Sequence, residues 1–364
     1  MARIVVIGGG IAGLCAAHKL TRMHHKVLVL EADNRLGGQI HTLRPRPGTG
    51  PVPAGFVVEL GAEGYVARSE AIPKLARELG MAAELVGQVE TRSFGYRDGS
   101  MRVLAPGESA SFLGFQVAKA DLGVGIRSCR TGMSQLIEAL HSKLASDVEL
   151  RLGAAAAHIE RRARGYELRL KDGASVTADK LIVASGARAA APLLGPVVGP
   201  AAEDLLKTTA HSSVNVSFAF ERSAISHALD ATGVVLAEQD QLHGARACVF
   251  ANSKFAERAP EGYANLRVFF RPDPREIKML ADATYITRAL EVLERVLGPI
   301  GPALQSWVAR WPDALPVFDA DSQAILKGLD AALAGSGIAL AGSAFHGSGI
   351  DAAVRSGLSV DQRL

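Results

Sequence analysis

Two kinds of apolar pattern run through the chain. Arg3–Ile7 and Lys26–Leu30 are short, unbroken and rich in β-branched residues, the pattern of strands buried on both faces of a parallel sheet. Lys180–Ala184 and the run from Gly337 are of the same kind. Between the first two, Ile11–Arg22 is rich in Ala and Leu and predicts a helix. Helical spacing also marks Ala71–Leu79, closed by Gly80, then Met133–Leu144 and Tyr285–Leu297. Elsewhere the period is two. Thr91–Leu104 turns at Asp98-Gly99, and Tyr166–Leu170 pairs with Ser175–Ala178 around Asp172-Gly173. Val148–Leu152, Ala155–Ile159 and Phe56–Leu60 are further short strands, while Ser111–Ser128 is broken by glycines and matches no template. Four apolar runs, Val214–Glu221, Gly233–Ala237, Ala245–Asn252 and Asn265–Arg271, are separated by turn signals and predict an antiparallel sheet. The fold class is therefore α/β. One discontinuous unit takes in 1–63, 125–195 and 300–364, and a sheet-plus-helix unit, 64–124 and 196–299, is inserted into it.

Glycines sit at the joints of the first unit. Gly8, Gly10 and Gly13 follow the first strand with G-x-G-x-x-G spacing and open the helix. The first allows a tight turn, the second lets backbone approach a pyrophosphate, and the third lets helix and strand pack closely. The amides of Ile11 and Ala12 then point from a positive helix end at that phosphate. Glu31 ends the second strand, where a carboxylate can accept from ribose hydroxyls. Glu31-Ala32-Asp33-Asn34-Arg35-Leu36-Gly37-Gly38-Gln39 continues at once into a second diglycine. A longer dinucleotide needs such a second close approach.

The pattern Glu-x-x-x-Arg-x-Gly-Gly-x-x-x-Thr at Glu31–Thr42 resembles the FAD oxidases that include monoamine oxidases, carotenoid desaturases and protoporphyrinogen oxidases. Many of those carry Arg where this chain has Gln39. Within that group the likeness is greatest to oxygen-dependent protoporphyrinogen and coproporphyrinogen oxidases. Trp311-Pro-Asp-Ala-Leu-Pro316 is similar to their Trp-x-x-Ala-x-Pro signature. Gly342-Ser-Ala-Phe-His-Gly-Ser-Gly-Ile350 is similar to their C-terminal glycine run, and Thr131-Gly132-Met133 to their diglycine-led helix. The resemblance implies a Rossmann-like FAD domain with non-covalent FAD. It also implies a cofactor shell of Gly8, Gly10, Ile11, Ala12, Gly13, Glu31, Ala32, Arg35, Gly37, Gly38, Gln39, Gly61, Ala62, Glu63, Ala156, Trp311, Gly342, Ser348, Gly349 and Ile350. Arg92 lies where those enzymes place an arginine that pairs with a substrate propionate. The long helical insert that the resembled enzymes carry between Leu104 and Met133 is here a short bridge.

The helix opened by Gly349-Ile350 would stabilise negative charge on a reduced flavin, and His346 in the same turn is the histidine to test as a proton relay. His24 and His25 are adjacent at a helix end and read as solvated. No His-Glu-x-x-His, Cys-x-x-Cys or Gly-x-Ser-x-Gly occurs, and the implied chemistry is the cofactor's, with no metal.

Net charge is +3 among 364 residues, too mild for a nucleic-acid partner but suited to an anionic small molecule or weak peripheral contact with an acidic membrane. No apolar run reaches the ~18 residues of a membrane span. The first strand begins at Arg3, which leaves no room for a signal peptide, and Cys15, Cys129 and Cys248 are unpaired in spacing. A cytoplasmic oxidase that takes hydride from a reduced tetrapyrrole, with oxygen as acceptor, is the expectation. An oxidase or desaturase of an amine or secondary metabolite, and a non-catalytic flavoprotein, share the same residues.

Overall fold

A computed structural model describes residues 1–48, 50–109 and 123–364. Most of the unassigned run Ser111–Ser128 lies outside the described residues; its last three residues belong to strand Ile126–Cys129.

The apolar strands converge on one parallel sheet, ordered Val148–Arg151, Lys26–Leu30, Arg3–Ile7, Lys180–Val183, Ile338–Leu340. Ile4, Val6, Val27, Val29 and Ile182 face one core with helices Ile11–Arg22, Ser134–Leu144 and Ile350–Leu358. Val5, Ile7, Leu28, Leu30, Leu181 and Val183 face the other. There the three-stranded sheet Ala156–Arg161, Tyr166–Leu170, Ser175–Ala178 covers them, with helices Ala187–Val198 and Ala320–Leu333. Both faces are dry, so alternation was never available as a signal in these strands. The two helices on that face were not legible either. Ala187–Val198 contains Pro192 and Pro196, and holds because Ala190, Ala191, Leu193 and Leu194 are buried. Ala320–Leu333 starts at Asp319, whose carboxylate accepts from the Ser322 amide (2.8 Å).

The second sheet has seven strands, ordered Gln305–Pro316, Ala210–Glu221, Tyr263–Phe270, Ala245–Phe250, Gly233–Leu236, Phe94–Arg97, Ser100–Val103. It is antiparallel except where Gly233–Leu236 meets Phe94–Arg97 in parallel. Helix Asp282–Leu297 closes one face. The hairpin turns at Asp98-Gly99 with both residues at positive φ, as its sequence predicted. Gln305–Pro316, grouped above with the nucleotide unit, is instead the edge strand of this sheet, beside Ala210–Glu221. Its prolines hid it, and an edge position is where a strand tolerates them. Of the expected strand Phe56–Leu60 only Val58–Glu59 pairs, with Thr42–Leu43, while side chains take the Val57 and Leu60 carbonyls on either side.

Candidate cofactor site

The first glycine turn is set by contact. A Cβ on Gly13 would lie 1.9 Å from the Gly8 oxygen, and one on Gly8 2.7 Å from the Ala184 oxygen. Helix Ile11–Arg22 starts from Gly10 with no side-chain cap, leaving its first amides directed outward. Glu31 knits this turn to the next loop: its carboxylate accepts from the Gly9 amide (2.6 Å) and the Asp33 amide (2.8 Å). Gly153 donates to the Asp33 carbonyl (2.9 Å), and Ala154, two residues before Ala156, to the Glu31 carbonyl (2.8 Å).

The second diglycine closes on the first. Gly37 donates to the Gly9 carbonyl (2.9 Å) and forms an isolated bridge with Gly10. Gly37 and Gly38 both have positive φ, at 107° and 55°. Arg35 holds the loop from within, donating to the carbonyls of Gly38 (2.7 Å), Leu36 (3.2 Å) and Ile40 (3.3 Å), with its guanidinium 5.9 Å from the Trp311 ring.

Gln39 carries the path onward. Its carbonyl accepts from the Ala62 amide (2.9 Å), and a Cβ on Gly61 would sit 1.9 Å from it. The segment Val57–Gly61 is gripped by side chains of the second sheet. Asn265 donates to the Val57 carbonyl (3.0 Å), Arg267 to Glu59 (2.6 Å) and Gly61 (3.2 Å), and Asn215 (3.1 Å) and Trp311 (2.6 Å) to Leu60. Glu63 pairs with Lys254 (2.8 Å) and Arg267. Burial alone would raise the Glu63 carboxyl, but Lys254 and Arg267 hold it down at about 2. Arg258, fully buried, donates to the carbonyls of Arg130 and Cys129 and to Ser128. Sequence reasoning missed Asn215, Lys254, Arg258, Asn265 and Arg267. For Asn215, Asn265 and Arg267 the signal was a polar residue inside an otherwise apolar strand run.

Thr42 of the glycine-loop pattern acts at a distance. Its hydroxyl donates to Glu59 (2.7 Å) and accepts from the Ser134 amide (2.9 Å), while the Met133 amide donates to the other Glu59 oxygen (2.7 Å). A carboxylate and a threonine from two paired strands thus cap helix Ser134–Leu144. Gly132 leaves room for them, since a Cβ there would lie 2.3 Å from Thr42 and 2.9 Å from Glu59.

Burial pushes the Glu59 carboxyl up to about 7 in spite of these bonds. Its folded value is above the ordinary 4.5, so this contribution to stability is present below pH 4.5 and lost as pH rises through 7. Relative to Glu59→Gln, the native protein should lose about 3 kcal/mol between pH 4.5 and 8, read from chemical unfolding at each pH. Parallel pH profiles for the two proteins would refute this. Glu63, shifted the other way, changes only below pH 4.5 and leaves the window clear.

The C-terminal elements complete the picture. Gly342 has φ 116°, and a Cβ there would come 3.7 Å from the Ala12 side chain, so its backbone adjoins the first helix. Gly349, at φ 91°, starts helix Ile350–Leu358, again with no side-chain cap, and Ser348 precedes it. His346 stands apart. Its Nε2 donates to the Leu340 carbonyl (3.0 Å), and the ring lines a cavity of about 640 Å³ with Phe318, Lys327 and Asp330. Burial, then Arg363, lowers its pKa. Arg92 is also apart: its guanidinium holds the Asp230 carbonyl and carboxylate (3.0 Å to Oδ2) and is half exposed.

Structure therefore gathers Gly8–Gly13, Glu31–Gln39, Gly61–Glu63, Trp311 and Gly342 along one connected path. The fit to a dinucleotide has its own evidence. Helices Ile11–Arg22 and Ile350–Leu358 begin at Gly10 and Gly349 without side-chain caps. The Ser185 hydroxyl, next to Gly8, is buried with no partner among the described residues. A parallel sheet with this crossed pair of glycine turns, facing a second sheet, defines a dinucleotide-binding flavoprotein.

Comparison with known proteins places it further. Residues 94–364 match the flavin containing amine oxidoreductase family, and residues 6–79 the NAD(P)-binding Rossmann-like domain. The chain belongs to the flavin-containing amine oxidoreductases and is a flavin-dependent oxidoreductase with FAD as cofactor. It is 21% identical to the coproporphyrinogen III oxidase of Bacillus subtilis (strain 168), over 95% of this chain and 94% of that protein. To the coproporphyrinogen III oxidase of Propionibacterium freudenreichii subsp. freudenreichii it is 31% identical, over 62% of this chain and 42% of the other. Its fold superposes with a TM-score of 0.82 on an Exiguobacterium sp. 255-15 protein provisionally classed as a protoporphyrinogen oxidase, 21% identical, covering 99% of this chain and 98% of that one. Among the described residues no helix is long and apolar enough to cross a membrane.

Proposed function

We propose that this chain oxidises a reduced tetrapyrrole carboxylate, with oxygen as the final acceptor. The observation that carries the reading is the likeness to a coproporphyrinogen III oxidase along nearly the full length of both chains. Bound FAD supplies the chemistry, accepting a hydride equivalent from the substrate. The chain's own residues bind and orient. Gly10, Ile11, Ala12 and Gly13 present backbone amides to the pyrophosphate, while Gly8, whose amide donates to the Leu30 carbonyl (2.8 Å), makes the turn. Glu31, with Ala32 and Ala156, holds the ribose end; a carboxylate has about four acceptor sites, so its two backbone bonds leave room for two hydroxyls. Arg35, Gly37, Gly38, Gln39, Gly61, Ala62, Glu63, Trp311, Gly342, Ser348, Gly349 and Ile350 line the rest. Arg92 is proposed to meet a substrate carboxylate in exchange for Asp230. A cytoplasmic location suits the three buried free thiols.

A second reading, oxidation of an amine, is favoured by the short stretch between Leu104 and Met133. One experiment separates them. Acid-precipitated protein should release its flavin as FAD, and coproporphyrinogen or protoporphyrinogen, mixed anaerobically with the holoenzyme, should bleach the flavin while amines do not. Bleaching by an amine alone would transfer the assignment to the second reading.

A further inference from the structure

On the central strand Tyr263–Phe270 alternate side chains share a face. Arg267 points to the Gly61–Glu63 turn. Phe269, two residues on, packs beside the Arg267 guanidinium (4.4 Å) and against Leu104, Val235 and Ala247, and its ring is partly open. Arg271 continues that row. Its amide donates to the Gly244 carbonyl (2.9 Å), which lays Arg246 alongside, in the bulge between Ala245 and Ala247. His211 stands at the same end of the neighbouring strand, where Val214 is opposite Phe270.

These three basic groups act on one another. Burial and then Arg246 lower the Arg271 pKa, and burial, Arg271 and Arg246 lower that of His211. Among the described residues neither Arg271 nor His211 makes an ion pair with a carboxylate of the chain. Arg271 is thus a half-buried guanidinium with no ion-pair partner among the described residues and a second guanidinium nearby, a destabilising arrangement unless an anion joins it.

We propose that Arg271 and His211 form a binding site for a substrate carboxylate, at one end of a strip whose other end is the Gly61–Glu63 turn. Arg271 lies four residue steps from Arg267, about 13 Å at roughly 3.3 Å per step. The ligand class follows: a flat, mostly apolar molecule that lies on Phe269 and carries a carboxylate about 13 Å from its reacting end. A guanidinium matches that group with two parallel bonds. Arg92 cannot serve the same end, because Thr232 and Asp230 hold it at the opposite end of the sheet. The site rests on the tetrapyrrole reading.

The test is equilibrium binding of oxidised coproporphyrin and of its tetramethyl ester to the FAD-loaded protein, followed by porphyrin fluorescence. Arg271→Gln should weaken the free acid tenfold or more and leave the ester unchanged. Arg271→Lys keeps the charge and the bulk, and should restore part of the loss; it covers the case in which Gln disturbs the fold. Equal binding of the acid by native protein, Arg271→Gln and Arg271→Lys overturns the site, as does an equal loss for acid and ester. Native protein that binds neither ligand overturns the tetrapyrrole reading itself.

Discussion

Replacing Gly13 by valine should give a protein that is destabilised and retains no FAD. The Gly13 position is 1.9 Å from the Gly8 oxygen once a Cβ is added, so helix Ile11–Arg22 has to lift from the strand turn. Overpacking of this kind costs about 1–3 kcal/mol or more, and the lift also removes the amides from the phosphate position. Gly10→Ala is the informative contrast. Its added Cβ meets nothing of the chain closer than 4.0 Å, and Gly10 has the ordinary backbone φ of −71°. The apoprotein should therefore melt as the native one does, while FAD affinity falls at least tenfold because only the cofactor meets the methyl. FAD retained by Gly13→Val after gel filtration, or Gly10→Ala binding FAD normally, would show that the pyrophosphate lies elsewhere.

The second large effect is expected at Arg267. Its guanidinium is 3% exposed and links Glu59, Gly61 and Glu63 to the second sheet. Removing one partner of a buried ion pair costs about 3–5 kcal/mol, since the other charge remains desolvated. Lys254 stays with Glu63, so Arg267→Met should lie near the lower figure, about 3 kcal/mol, by chemical unfolding. Arg267→Met combined with Glu63→Gln should lose clearly less than the two single variants together, because the stranded carboxylate is gone. Simple additivity in that cycle would mean that Arg267 acts through packing alone. The Gly61 turn would also loosen, so the single variant should release FAD faster than native protein.

Much of the cofactor half could be read from spacing. Short-range geometry dictates it: a glycine turn between a buried strand and a helix has one local solution, and Gly8, Gly10, Gly13 and Glu31 lie within one such unit. The hairpin at Asp98-Gly99 is legible for the same reason, as its turn residues alone choose the twist. Arg35 and Thr42 were visible as pattern letters but not as bonds. Arg35 closes its own loop, whereas Thr42 caps a helix ninety-two residues later in the chain. Pattern reports that a residue type recurs at a spacing; it does not report the partner when the partner is remote.

What the sequence determined by itself is the set of local units: the parallel strands, the glycine turns, the acidic strand end, and with them a dinucleotide flavoprotein. Tertiary structure alone decided how the second sheet serves the first. Asn215, Asn265, Arg267 and Trp311 lie far from Val57–Gly61 in the chain, yet they satisfy four of its carbonyls. A buried carbonyl has to find a donor, and which strand supplies it depends on how the sheets meet. The same holds for Gln305–Pro316, whose edge position let it keep its prolines, and for Arg246, Arg271 and His211, which three separate strands bring to one end of a sheet. Local propensity is a property of neighbours in sequence, while these contacts depend on the loops that close between distant segments.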